Sequence, residues 1–316
     1  MTADVLPTLT VKVRAAVHPG ASVCACGTDA SSVLADRPDG IVVRHADTVA
    51  KAHAPGTDPG ELAARMAVAA HPALDGVLLA PLAASAAELH GRLVTFWPYG
   101  TPVDPETPEA APWEEAATLL ARLHRTPRAV LPPRLPPMRG PAKVARAVER
   151  LRSAGPHPAA GPVLRAWSVL PAWAKNEAPM AYAHTLCHGD LHLGQLVRDR
   201  DGVWLLIDID DLGLGEPAWD LARPAAWFAC GLLPPDEWTR FLTAYQKAEG
   251  PALPADTDPW PALDVPARAL TVQTGALAIV KAMAAGRALD EVEVAVIDAC
   301  DRMAAHPPEL APGFPT

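Results

Sequence analysis

Two apolar runs that each end in a polar cluster constrain this chain more than any other feature. The first is Leu186-Cys187-His188-Gly189-Asp190-Leu191-His192-Leu193-Gly194-Gln195, and the second is Leu205-Leu206-Ile207-Asp208-Ile209-Asp210-Asp211. Gly189 and Gly194 oppose a helix here, so residues 184–213 are expected as short strands and loops. An Asp, an amide and a second Asp follow one another at intervals of five and then thirteen residues. A five-residue spacing lets the chain turn back, so Asp190 and Gln195 address two ends of one reacting group. The apolar strand 203–207 then delivers Asp208 to the other side. Carboxylate, neutral oxygen ligand and carboxylate together suit magnesium, a nucleoside triphosphate and the deprotonation of a hydroxyl, which is the chemistry of phosphoryl transfer.

The chain has 316 residues, enough for one large domain or two lobes with a real core. Half of the residues are apolar and a fifth are charged, as in a soluble globular protein. The formal net charge, 27 − 36 = −9, argues against nucleic acid as a partner and suits cationic small molecules better. The five cysteines (Cys24, Cys26, Cys187, Cys230, Cys300) are an odd number and imply no disulfide framework, so a reducing cytoplasm is expected. Cys24-Ala25-Cys26 could be a metal or redox pair, but no second pair accompanies it, and small buried core residues are expected instead. Residues 1–5 lack the basic and apolar regions of a signal peptide. The apolar stretches at 225–233 and 270–285 are too short or too interrupted to span a bilayer, so no membrane association is expected. A monomer or homodimer fits this picture. Proline and alanine are plentiful, yet apolar periodicity persists between the prolines, and there is no internal repeat.

Residues 31–53 read as three antiparallel strands: 31–35, 41–44 and 48–53, joined by turns at Arg37-Pro38-Asp39-Gly40 and Ala46-Asp47. A helix is expected over 59–70, with Pro59 at its start, Glu61 in its first turn and Leu62, Met66 and Ala69 on one face. Residues 76–82 and 89–97 read as two further strands. Pro98-Tyr99-Gly100-Thr101-Pro102 breaks the pattern, which gives an N-terminal part over 1–97, a hinge at 98–103 and a C-terminal part over 104–316. Beyond the hinge the helical period takes over. A stripe of Ala116, Leu119, Leu120 and Leu123 marks a helix over 113–124, ended by Pro127. A proline-rich loop covers 128–140. Further helices are expected at 144–154, 161–175, 217–229, 235–248, 261–286 and 290–304. The fold class is α+β, with a small antiparallel β-rich lobe and a larger α-helical lobe that carries the catalytic hairpin at its mouth.

The run His188-Gly189-Asp190-Leu191-His192-Leu193-Gly194-Gln195 resembles the catalytic loop of the aminoglycoside phosphotransferase and choline kinase family. The resemblance continues through Ile207-Asp208-Ile209-Asp210-Asp211-Leu212-Gly213-Leu214-Gly215-Glu216-Pro217-Ala218-Trp219-Asp220-Leu221-Ala222. It is dense over 186–224, looser over 41–125 and weak from 225 onward. It implies a bilobal, protein-kinase-like fold and the use of ATP and Mg2+. By this resemblance Asp190 is the catalytic base, Gln195 a Mg2+ ligand and Asp208 the principal Mg2+ carboxylate. Lys51 holds ATP phosphates, Glu61 pairs with Lys51, and the segment from Thr95, Phe96 and Trp97 to Gly100 offers backbone contacts to adenine. Asp220 braces the catalytic loop. Read by itself, His188 is expected to donate to a backbone carbonyl or to Asp208 and so hold the loop, a candidate catalytic residue beside Asp190. Lys51 also stands out by itself: it lies in an apolar strand between Ala50 and Ala52, where a lysine requires a partner. For Glu61, a first-turn glutamate is favoured at helix N-termini in any case. Three departures stand out. Gln195 replaces the usual Asn, a variant similar to maltokinase and glucosamine kinase. The turn at 37–40 has one glycine. Glu216 stands where Asp is commoner.

Other readings compete for the same residues. His184, His188 and His192, with Asp190 among them, have the spacing of a zinc-hydrolase cluster, but the glycines oppose the helix it would need and His306 is the only histidine downstream. His192 could hold the loop as His188 does or line an acceptor pocket. Of Asp210 and Asp211, one could be a second metal ligand or both could be solvated, with Asp210 also a candidate for the acceptor. Trp227 and Trp238 fall where acceptors bind in similar enzymes, although tryptophans such as these and Trp97 or Trp219 more often fill cores. Asp236, Glu237, Asp290, Glu291 and Glu293 could bind an amino-sugar or simply be charged surface. The expected function is ATP- and Mg-dependent transfer of the γ-phosphate to a hydroxyl of an aminoglycoside-like antibiotic, a sugar or an amino-sugar. The alternative is a nucleotide-binding pseudokinase that regulates a partner, motivated by the glycine-poor turn.

Overall fold

Apolar residues at every third or fourth position put Val5, Leu9 and Val13 on one buried face of helix α1 (Val5–Val17), in a computed structural model that describes residues 5–19, 26, 30–180, 183–255 and 257–306. Strands β1 (Ser31–Arg37), β2 (Gly40–His45) and β3 (Thr48–His53) follow as an antiparallel meander. Period-two alternation buries Ile41 and Val43 on one side of β2. Asp58 caps α2 (Pro59–Ala69) by accepting from Glu61 N, and a proline opens the helix. Then come β4 (Ala87–Leu89), β5 (Arg92–Pro98) and β6 (Thr101–Pro102). The next elements are α3 (Trp113–His124), α4 (Gly140–Ser153), α5 (Ala160–Ser168) and the short strands β7 (Thr185–Cys187), β8 (Leu196–Arg198), β9 (Trp204–Leu206) and β10 (Gly213–Gly215). Helices α6 (Ala222–Ala229), α7 (Pro235–Lys247), α8 (Trp260–Ala285) and α9 (Glu291–Ala305) complete the chain.

The chain divides into two units. The first comprises Met1–Ala111, Ala129–Pro136 and Gly194–Asp210, so far as these residues are described. Its five-stranded sheet has the order β1-β2-β3-β5-β4, and β6-β8-β9 forms a second, small sheet. Helix α1 covers the larger sheet, with Val5, Leu9 and Val13 against Ile41, Val43, Ala50, Ala52 and Val94. Leu79, Val197 and Leu205 make a smaller cluster with Trp97 and Ile207.

The second unit comprises Pro112–Arg128, Pro137–Leu193 and Asp211–Thr316. Helix α8 lies at its centre, with α4, α5, α6 and α9 packed against it, while α3 pairs with α7. Trp238 stacks with Phe228 and Phe241 at ring-centroid distances of 5.6 and 6.1 Å, and Trp260 joins the same group. Strands β7 and β10 pair antiparallel. None of the described helices is long and apolar enough to cross a membrane.

Several elements differ from the sequence reading. Helix α1 was not anticipated. Residues 76–82 form no strand of their own: Val77 and Leu79 exchange backbone hydrogen bonds with Leu206 at 2.9 Å, and Leu82 N donates to the Phe96 carbonyl at 2.8 Å. The helix expected over 161–175 ends at Ser168, just before Pro171, which cannot continue it. The one expected from Pro217 begins as a 3-10 turn and becomes α-helical only at Ala222. The division at 98–103 falls elsewhere, because β6 pairs with β8 and keeps residues up to 111, together with 194–210, in the first unit.

Candidate active site

In the first unit, β3 carries Lys51 between the fully buried Ala50 and Ala52. Its Nζ donates to Asp208 Oδ1 at 2.7 Å and reaches Asp210 Oδ2 at 2.9 Å. Strand β9 delivers Asp208, whose backbone is left-handed at φ +64°, a region uncommon for a residue with a Cβ. Asp210 N donates back to Asp208 Oδ1 at 3.2 Å. A buried chain of hydrogen bonds supports Asp210 from behind. Trp97 Nε1 donates to Thr95 Oγ1 at 2.8 Å, Thr95 pairs with His53 Nε2 at 2.9 Å, and His53 Nδ1 meets Asp210 Oδ1 at 2.8 Å. Burial alone would raise the Asp210 carboxyl, but the Lys51 charge and the His53 contact hold it well below the usual carboxylate range. Burial likewise works against the Lys51 ammonium, and the two carboxylates overcome it and carry its pKa upward.

These groups line one cavity of 370 Å³, together with Gln195 and the segment Trp97-Pro98-Tyr99-Gly100. Leu79, Val42, Val49 and Ile207 form its apolar wall. Gln195 ends a 3-10 turn (Leu193–Gln195) and is 9% exposed, with its carbonyl held by Ile207 N at 2.9 Å. Asp208, Asp210 and Gln195 are hard oxygen donors, the set that Mg2+ takes, and the site already neutralises its carboxylates with a cation.

Two expectations for this unit require correction. Glu61 does not hold Lys51: its carboxylate takes Arg65 at 3.1 Å, one turn along α2, while Lys51 is committed to the two aspartates. Thr95 and Phe96 do not line the cavity: Thr95 is fully buried beside His53, and Phe96 packs into the core beneath α1. Trp97 does line it.

In the second unit, Asp220 organises the turn after β7. It accepts from His188 N at 2.6 Å, from Gly189 N at 2.7 Å and from His124 Nε2 at 3.0 Å. Gly189 has φ +85°, and a Cβ there would run into the Asp211 carbonyl. Asp190 emerges from this turn between two cations. Lys143 Nζ donates to its Oδ2 at 2.6 Å and also to Asp211 Oδ2 at 2.7 Å. Arg223 donates to Asp190 Oδ1 at 2.8 Å and to the Leu191 carbonyl at 3.1 Å. Burial pushes the Asp190 carboxyl up, yet Lys143 and Arg223 outweigh it and hold it below its ordinary value. Burial lowers His192 to about 4, so its ring is neutral near pH 7.

His188 is buried and its backbone amide, held by Asp220, fixes the turn. His184 is exposed, and the three histidines do not gather with Asp190 around one point, which removes the zinc-hydrolase reading. Trp238 is a core residue in the aromatic stack and not an acceptor platform, while Trp227 is half-buried on α6. Glu237 accepts from Trp113 Nε1 at 2.8 Å, Asp290 caps α9, and Glu293 pairs with Arg287, so these carboxylates serve the fold. Sequence reasoning missed His53, Lys143 and Arg223. Lys143 did leave a trace, since a lysine in the first turn of a helix opposes the helix dipole and calls for another partner.

Residues 27–263 match the phosphotransferase enzyme family known as APH. The chain belongs to this family, and it is an enzyme that phosphorylates hydroxyl acceptors on an α+β, kinase-like fold. No curated protein matches its sequence. Among solved structures it is similar to a choline/ethanolamine kinase family protein from Mesorhizobium loti, with 20% identity over 99% of this chain and 97% of that one and a TM-score of 0.55. It is also similar to a spectinomycin phosphotransferase solved with ADP and spectinomycin (14% identity, 86% and 88% covered, TM-score 0.56). A choline kinase from Cryptosporidium parvum Iowa II gives 11% identity, 87% and 89% covered, and a TM-score of 0.56. At these identities the likeness bears on the fold alone.

Proposed function

We propose that the protein is an ATP- and Mg-dependent O-phosphotransferase whose acceptor is a hydroxyl of an aminoglycoside-like compound, a sugar or an amino-sugar. One observation carries this reading: Lys51, Gln195, Asp208 and Asp210 line a single cavity with an apolar wall suited to a nucleobase. Lys51 holds phosphate oxygens, and the backbone of residues 97–100 faces the base. Asp208 and Gln195, with Asp210 beside them, hold Mg2+, which when bound screens phosphate charge. Asp190 orients the acceptor hydroxyl and takes its proton as the oxygen attacks the γ-phosphate. Lys143 and Arg223 keep Asp190 ionised for that step. His188 and Asp220 position the turn, and neutral His192 offers a hydrogen bond to the acceptor.

The test is ADP release from Mg·ATP across a panel of aminoglycosides, glucosamine, disaccharides and choline, with antibiotic susceptibility of cells expressing the protein. At least one acceptor supports turnover, and Asp190→Asn and Asp208→Asn each reduce it by roughly a thousandfold. Nucleotide-dependent thermal stabilisation with no turnover on any acceptor would establish the pseudokinase alternative and overturn this one.

A further inference from the structure

The C-terminal end of α1, the exposed Cys26 and the buried end of β2 meet at a point whose residues do not line the cavity beside Lys51. We propose that His18, Cys26 and His45 form a structural zinc site. Their ligand atoms all lie within 4.8 Å of one another, and His18 Nε2 is 3.0 Å from Cys26 Sγ. A tetrahedral zinc ion, with bonds of about 2.1 Å to nitrogen and about 2.3 Å to sulfur, draws its ligands to about 3.5 Å apart. Small side-chain adjustments bring the three to that spacing. One thiolate and two imidazoles form a borderline-soft set that selects zinc over magnesium, whereas Asp208, Asp210 and Gln195 in the cavity beside Lys51 offer hard oxygen donors.

The surroundings fit the same reading. His45 Nδ1 lies 2.8 Å from Ser31 Oγ, and Ser31 in turn accepts from Arg14 Nε at 3.3 Å. A hydroxyl on one ring nitrogen fixes the tautomer and turns the other nitrogen toward the ion, as with metal-bound imidazoles generally. The His18 and His45 rings stand edge to face, with centroids 5.5 Å apart. Arg14, which donates to Ser31, is a cation that works against the ion. Cys24 lies outside the described residues. On binding, the Cys26 thiol gives its proton to solvent and zinc takes its place. The ion would staple α1, already packed on the sheet through Val5, Leu9 and Val13, to the edge formed by β1 and β2.

The experiment uses the full chain, purified under reductant without a histidine tag, stripped with a chelator and titrated with zinc(II) against a chromophoric competitor. One zinc per chain is expected in the wild type and equally in Asp208→Asn, which keeps this readout separate from the nucleotide site. Cys26→Ser and His18→Asn, both near the surface, weaken zinc binding by roughly a hundredfold or more. Cobalt(II) substitution of the wild type gives a thiolate charge-transfer band that Cys26→Ser abolishes, which does not depend on how any variant at His45 folds. A wild type that binds no zinc, zinc lost in Asp208→Asn but kept in Cys26→Ser, or a cobalt spectrum with no thiolate band would overturn the proposal.

Discussion

Lys143→Met removes the ammonium that Asp190 and Asp211 share. Its Nζ lies 2.6 and 2.7 Å from the two carboxylates, and the Lys143, Asp190 and Asp211 side chains are 23%, 18% and 15% exposed. An exposed ion pair contributes up to about 1 kcal/mol, and breaking a buried one costs about 3–5 kcal/mol. This half-sheltered setting puts the loss at about 2–3 kcal/mol over both carboxylates. Half of that acts on Asp190, and at about 1.4 kcal/mol per pH unit it raises the Asp190 pKa by about one unit. The wild-type carboxyl sits below its ordinary value of 3.8. Its contribution to stability is therefore complete above that value and lost as pH falls through the lower folded pKa. In the variant both this loss and the acidic limb of kcat/KM move upward by about one unit. Arg223 stays on the other oxygen, so turnover at neutral pH falls without vanishing. The assay is the pH profile of kcat/KM, paired with urea unfolding at neutral pH. An acidic limb and a urea midpoint both at their wild-type positions would refute the argument that Lys143 sets the state of Asp190.

Three further outcomes follow from the geometry. Lys51→Met leaves Asp208 and Asp210 facing each other without a cation and lowers stability by about 3 kcal/mol; millimolar Mg2+ recovers more of the melting temperature in this variant than in the wild type. His192 titrates at about 4 in the folded protein against 6.5 in the unfolded chain. The folded state thus binds fewer protons between those values, and stability falls by up to about 3 kcal/mol as pH drops across them; urea midpoints at neutral pH and at pH 4 show a smaller difference in His192→Asn. Gly189→Ala places a Cβ at φ +85° against the Asp211 carbonyl; melting and turnover both decline, with at least about 2 kcal/mol lost.

The first strands of the first unit's sheet were legible because β2 alternates in burial and strong turn signals bound β2 and β3. Helix α2 was legible because its opening proline, first-turn glutamate and stripe agree, and α3 because of its stripe of Ala116, Leu119, Leu120 and Leu123. The segments proposed for phosphoryl transfer stood out because glycines and apolar lead-ins isolate Asp190, Gln195 and Asp208 from any regular period. What stayed hidden depends on partners far apart in sequence. His53 and Thr95 looked like ordinary strand residues until the β3–β5 register, which pairs Thr95 with Lys51, brought the His53 ring within hydrogen-bond reach of Thr95. Arg65 took Glu61 away from Lys51 through a helical spacing of four that could have been counted. Lys143 reaches Asp190 across 47 residues, and no local pattern encodes that. Cys26 was expected in the core, but the structure leaves it exposed beside His18.

The contact between Asp220 and His124 continues outward. His124 Nδ1 lies 2.8 Å from the Tyr245 hydroxyl, and that hydroxyl accepts from Ala252 N at 3.1 Å. In the neutral tautomer that donates Nε2–H to Asp220, the ring receives at Nδ1, and the tyrosine gives its hydrogen inward. Each link is polarised in the same sense, from the α7 side toward the carboxylate. Such a row behaves as a latch and not as a wire: reversing any one member strands a lone pair or doubles a hydrogen next door. A glutamine in place of the histidine would have to bridge both neighbours with one flexible amide. It would loosen the tyrosine end even where the aspartate end survived.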